Sequence, residues 1–245
     1  MRLRPDTVDM SIVRGIKRRL HRDIVADPVL HGRVLNLYLN GEQYPHRVAD
    51  YFPMAAVEDA ALARRMRAHL HEEDKHVALY RRAIRSLAQS VVELPLPEIY
   101  NTVIRRHTPA TDVAGRSRPD AQRFTLANFL AHLHFLESRV AQSLEYHLDA
   151  CAHAADPYPA KAVEVILEDE RAHAAYTREA VFGLLPRSAA HDVLAIHGRA
   201  EAHANREFSA RELRRLLRDE TTRFSRASRT LYRCGAALLG ARPHG

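Results

Sequence analysis

The sequence predicts an all-α protein: a four-helix bundle with one long crossover, flanked by extra N- and C-terminal helices. Three observations carry this. Apolar residues recur at three- and four-residue intervals nearly throughout, and no alternating strand pattern persists. The breaks between the helical stretches run short, long, short, which is the connectivity of a bundle with one crossover. Apolar residues are 46% and charged residues 27% of 245, a composition that can bury a core.

The elements follow in order. A leading helix is expected over 9–26 and the first bundle helix over 28–53, ending at Pro53. The second bundle helix covers 56–91. The crossover runs from Glu93 to Asp120 and holds Pro95, Pro97, Pro109, Gly115 and Pro119, residues that stop helices. The third bundle helix covers 120–150 and meets the fourth, 158–184, through a short turn around Pro157 and Pro159. A long helix over 188–219 and a last one near 221–239 complete the chain. We read 1–245 as one domain, with the bundle at 28–184 and a helical extension at 188–239.

Composition narrows the function. The two cysteines, Cys151 and Cys234, stand far apart, which excludes a disulfide scaffold and a CxxC-type zinc or iron–sulfur centre. No run of 18 apolar residues exists and the first 20 residues lack the apolar stretch of a secretory signal, so a cytoplasmic protein with no membrane span is expected. The net charge of +7 is uneven: residues 1–33 carry 8 basic and 4 acidic groups, and residues 197–245 carry 11 and 5. The basic ends could attract anions, but no nucleic-acid-binding motif accompanies them, so nucleic acid is not an expected partner.

The four bundle helices share one anomaly. The stripe of the second, Leu62, Met66, Leu70, Val77, Tyr80, Ile84, is interrupted by Glu73 and His76. That of the fourth, Val163, Ile166, Leu167, Thr177, Val181, is interrupted by Glu170 and His173. Glu137 interrupts the third, and Glu42 the first. Four carboxylates in one core would repel one another and lose hydration at several kcal/mol each, on the order of the penalty for any buried ion. Bound cations remove that problem. A lone Glu-x-x-His is uninformative, since chance gives about one in a chain with this many Glu and His. The information lies in the spacing: Glu42 precedes Glu73 by 31 residues and Glu137 precedes Glu170 by 33, an out-and-back path along two antiparallel helices. Residues i and i+3 share a face, so each Glu-x-x-His can converge on one ion. Asp50 and Glu58 are poorer substitutes for Glu42, being close to the turn.

These residues resemble the ferritin-like superfamily of di-iron and di-manganese carboxylate proteins, over about 28–184. The strings Leu39-Asn40-Gly41-Glu42-Gln43 and Glu168-Asp169-Glu170-Arg171-Ala172-His173 look like those of its non-haem di-iron oxygenase and oxidase branch. The resemblance implies a six-ligand metal site of Glu42, Glu73, His76, Glu137, Glu170 and His173. Glu72 and Asp169 would accept hydrogen bonds from the far nitrogen of the opposite helix's His. Tyr80 sits at the offset where the reductase member of the superfamily carries a radical tyrosine; read on its own, it is a packing aromatic. The implied cofactors are two iron ions, with manganese or a mixed pair as alternatives, and O2 as co-substrate.

The implied function is an O2-activating oxidoreductase acting on a small or medium organic substrate by hydroxylation, N-oxygenation, desaturation or cleavage. Lacking a rubredoxin-like module, it would take electrons from an external donor or from the substrate. A homodimer is one arrangement the terminal helices allow. The alternatives are a ferroxidase or iron-handling protein, a tRNA-modifying di-iron hydroxylase, and a metal-free interaction bundle. One departure from the pattern is Pro45, three residues after Glu42: it should kink or break the first bundle helix, or displace Glu42 if Asn40-Gly41 forms a turn. His46, His69, His71, His132 and His134 are read as flanking surface or supporting groups. Glu201 and His203 lie on a helix that could reach the site, although no spacing demands it.

Overall fold

A computed structural model of the protein describes residues 10–43, 52–152, 154, 156–219 and 222–240. They are helical, with two short 3-10 turns, Met54–Ala56 and Leu96–Glu98, and no strand among them. The helices are α1 (Met10–Val25), α2 (Pro28–Glu42), α3 (Ala60–Ser86), α4 (Tyr100–His107), α5 (Arg118–Cys151), α6 (Tyr158–Leu184), α7 (Arg187–Arg218) and α8 (Arg226–Gly240).

The starts have local causes. Asp27 Oδ1 accepts from the amides of Val29 and Leu30 at 2.9 and 3.3 Å, with Pro28 in the first turn of α2. Asp59 accepts from Leu62 N at 2.7 Å to start α3, and Ser117 caps α5 ahead of Pro119. Two expected helices stop early. The first bundle helix, expected to run to 53, ends at Glu42; the sequence places Pro45 just beyond, and a proline disfavours the helical region for the residue ahead of it. Gly41 is helical, so Asn40-Gly41 is no turn; Pro45 itself, His46 and Asp50 lie outside the described residues. The second bundle helix ends at Ser86 rather than 91: Ala88 enters the left-handed region at φ 56°, and Gln89 N returns to Ile84 O at 3.2 Å.

The crossover is more ordered than its prolines suggest. It contains α4, which buries Val103 and Ile104 and packs on α7. Before it, residues 90–94 run along α2, held by two asparagines one turn apart. Asn36 donates to Ser90 O at 2.9 Å and accepts from Val92 N at 2.7 Å. Asn40 donates to Val92 O and accepts from Leu94 N, both at 2.8 Å. Side-chain amides thus satisfy backbone that has no strand partner.

Helices pack in the order α2, α3, α6, α5, and α1 lies across both α2 and α5. α8 packs on α7 and α1, where Tyr232 donates to Asp23 Oδ2 at 2.7 Å. Apolar side chains form two layers within the four long helices. One holds Met66, Leu130, Leu133, Tyr176 and Val181; the other holds Leu35, Leu39, Tyr80, Leu144, Val163 and Ile166. On α3, α5 and α6 the chain passes from one layer to the other through a carboxylate, and α2 ends on one, Glu42.

Candidate metal centre

Between the two apolar layers lies a polar one. Glu73, His76, Glu137, Glu170 and His173 are all buried, and Glu42 is half-buried at the end of α2. The donor atoms of Glu42, Glu73, His76 and Glu170 lie within 4.8 Å of one another, as do those of His69, Glu73 and His173. All six expected ligand positions therefore border one small volume: Glu137 joins through His69, whose Nε2 is 3.7 Å from Glu137 Oε1.

The layer is arranged crosswise. His76 Nδ1 is 3.4 Å from Glu170 and 3.7 Å from Glu73; His173 Nδ1 is 3.5 Å from Glu73 and 3.7 Å from Glu170. No hydrogen bond is made by either Nδ1 or by either oxygen of Glu170, although all four atoms are buried. Unpartnered buried polar atoms of this kind are costly and rare. Their separations are long for hydrogen bonds but close to what donors reach around a shared ion, about 3 Å apart when each is about 2.1 Å from the metal. The far nitrogens are occupied. His76 Nε2 donates to Asp169 at 3.0 Å and His173 Nε2 donates to Glu72 at 2.8 Å, which turns both Nδ1 atoms inward. Lys75 pairs with Asp169 in turn.

Charges alternate around the layer. Burial, with the repulsion of Glu73 and Glu170, holds Glu42 well above the usual carboxylate range. Burial, with the repulsion of Glu170 and Glu73, does the same to Glu137. Burial also pushes Glu73 and Glu170 upward, but facing imidazoles more than reverse it: His69 and His76 take Glu73 well below its ordinary value, and His173 and His76 take Glu170 to about 2. Against burial, Glu170 and Glu73 raise His76 to about 12, and the same carboxylates raise His173. Glu73 and Glu170 are thus drawn toward the ionised form opposite His76 and His173, and Glu42 and Glu137 toward the protonated form. Fully deprotonated, four carboxylates and two neutral imidazoles carry four negative charges, which two divalent cations balance. The donor set fits a pair of such ions.

His69 is the residue that the sequence reading undervalued. It is buried, donates from Nε2 to Glu73 at 2.8 Å, accepts at Nδ1 from the Tyr176 hydroxyl at 2.7 Å, and stacks on His173 with ring centroids 3.4 Å apart. Burial holds it below the ordinary imidazole value. The signal was present: His69 lies one turn before Glu73, inside the same stripe as Met66 and Tyr80. The other flanking groups stay outside the layer. His132 meets Thr108, His134 meets the Ala174 carbonyl, and His71 is exposed. Glu201 pairs with Arg139 and accepts from Tyr100, and His203 stacks on His107. Tyr80 is fully buried beside the layer with an unpartnered hydroxyl, and its ring is 5.8 Å from that of Tyr38.

A cavity of about 240 Å³ opens beside Glu42, Glu73 and Glu137, in the gap between α2 and α5 that α1 bridges. Its walls are mainly apolar, with Ile16, Val34, Val140, Leu213 and Leu239 among them, and with Lys17 and Arg139 as cations. Burial, helped by Arg139, lowers Lys17 to about 8. The C-terminal helices α7 and α8 contribute to these walls, so the extension closes the cavity. No helix among the described residues is long and apolar enough to cross a membrane.

No family model, curated protein or solved structure matches the chain.

Proposed function

We propose that this chain is a non-haem di-iron oxidoreductase of the ferritin-like kind, which activates O2 against a small or medium apolar organic substrate. The observation that carries the reading is the buried layer of four carboxylates and two inward Nδ1 atoms, with Glu170 and both Nδ1 atoms unpartnered. Glu42, Glu73, His76, Glu137, Glu170 and His173 would hold the ions, and a ferrous pair would supply the electrons that reduce O2. The chain's own residues do the rest. Asp169 and Glu72 aim the imidazoles, and His69 steers Glu73. Leu133 and Leu136 in the cavity wall keep water away from the carboxylates, and the apolar lining selects the substrate. That cavity favours an organic substrate over iron storage, which needs only a path for ions.

The test is metal content of the full chain expressed with iron, read with the optical spectrum when the ferrous protein meets O2. About two irons per chain and a transient oxygen-dependent absorption are expected. No stoichiometric metal after reconstitution with iron and with manganese would overturn the reading.

A further inference from the structure

A second cluster of metal-binding side chains lies outside the carboxylate layer. His147 and Cys151 are one turn apart on α5 and so share a face; His31 comes from the first turn of α2. All three are buried, and their donor atoms lie within 4.8 Å of one another. The Nε2 atoms of His31 and His147 are 2.9 Å apart. His147 Nδ1 is buried with no hydrogen-bond partner, and so is Nδ1 of His21, whose ring stands 5.8 Å from that of His147. The cluster is separate from the carboxylate layer: His147 follows Glu137 by ten residues on α5, which is about 15 Å along the helix.

We propose that His31, His147 and Cys151 form a second metal site, which takes one borderline-soft divalent cation of the zinc class. Two imidazoles and a thiolate suit such an ion, with a fourth position that His21 or water can fill. The site is prepared for it electrically. Burial keeps His31 at about 4 and His147 well below its ordinary value, so both rings are neutral and each can offer a lone pair. The Cys151 thiol, held up to about 11 by burial, loses its proton to the solvent when the cation binds. The proton shared between the two Nε2 atoms moves to an Nδ1. One proton is thus released per ion, and nothing is oxidised or reduced. The inference does not rest on the di-iron reading, because no donor is common to the two sites.

The probe is Co2+ added to the full-length chain. A sulfur-ligated ion gives a near-ultraviolet thiolate-to-cobalt charge-transfer band, which a carboxylate and imidazole site cannot give. The band is expected in the wild type, in Cys234→Ser and in Glu170→Gln, and should vanish in Cys151→Ser. His31→Gln, which keeps the thiol, should weaken zinc binding at this site at least about tenfold in competition with a chromophoric chelator. If cobalt fills the carboxylate layer without any such band, or if the band survives Cys151→Ser, His31 and His147 are only a hydrogen-bonded pair and the proposal falls. If the band appears while Glu73 and Glu170 variants leave iron content unchanged, this site stands and the di-iron reading falls.

Discussion

The carboxylate layer spans α2, α3, α5 and α6, and the His31–His147–Cys151 cluster shares α2 and α5 with it; both are buried, yet His76 and His173 of the first and His31 and His147 of the second are driven in opposite directions. His76 faces Glu170 and Glu73 and rises to about 12; His31 falls to about 4 and His147 well below the ordinary value. Burial opposes charge in every one of these rings. What differs is the neighbourhood: Glu170 and Glu73 together repay the cost of an imidazolium at His76, one carboxylate beside a second imidazole does not at His69, and an imidazole and a thiol do not at His147. The first region therefore stores protons that a metal must displace, and the second stores lone pairs that a metal can use directly.

Metal binding as a function of pH is the sharpest test of this contrast. Two ions entering the carboxylate layer displace protons from Glu42, Glu137, His76 and His173. Their association constant should fall by up to about four decades for each unit that the pH is lowered near neutrality. One ion at the thiol cluster should cost about one decade. Isothermal titration in buffers of different ionisation enthalpy counts the released protons, and equal counts at the two sites would break the comparison.

Next in size is an asymmetry between carboxylates. Glu170 is ionised against two imidazolium rings, so Glu170→Ala strands buried charge and should destabilise the metal-free protein by about 3–5 kcal/mol. The sign follows from linkage: with its folded value lowered to about 2, Glu170 contributes stability that is present above pH 4.5 and is lost as the pH falls through 2. Glu137 is raised instead, and its burial weighs against folding as the pH climbs above 4.5. Glu137→Gln should leave the metal-free stability at pH 7 unchanged or higher. Urea unfolding of both variants decides this, and both should lose iron. A smaller effect is expected for His69→Gln, which keeps a donor near Glu73 but loses the Tyr176 contact. Iron affinity should drop by about 10- to 100-fold with the fold intact. The smallest concerns the second cluster. His31→Leu with His147→Leu removes both partners of a neutral pair, so metal-free stability should shift by under about 1 kcal/mol, whereas either single change leaves a buried donor or acceptor unpaired and costs about 1–3 kcal/mol.

Much of this architecture was legible because interruptions of a stripe are informative. Glu73 and His76 break the spacing set by Met66 and Tyr80, and Glu170 and His173 break that set by Ile166 and Val181; the same positions fall between the apolar layers in space. The fourth long helix, α6, spans the expected 158–184 because Pro157 and Pro186 bracket it. Other features depend on partners distant in sequence. Asn36 and Asn40 look like ordinary polar positions until the crossover returns to them, more than 50 residues later. The helix α4 hides among prolines because its eight residues form too short a period to stand out. His69 reads from the sequence as a flanking surface or supporting group, with nothing to choose between the two, and the clustering of His31 with His147 spans 116 residues.

The asparagine clamp makes the crossover a gauge of the metal layer. Asn40 and Glu42 occupy the last turn of α2, and Asn40 ties that turn to the amide of Leu94, as Asn36 ties the turn before it to the amide of Val92. Whatever tightens or loosens the grip on Glu42 must pass along this turn. The exchange of those two amides with deuterium would then time the arrival of an ion at a carboxylate that neither amide touches.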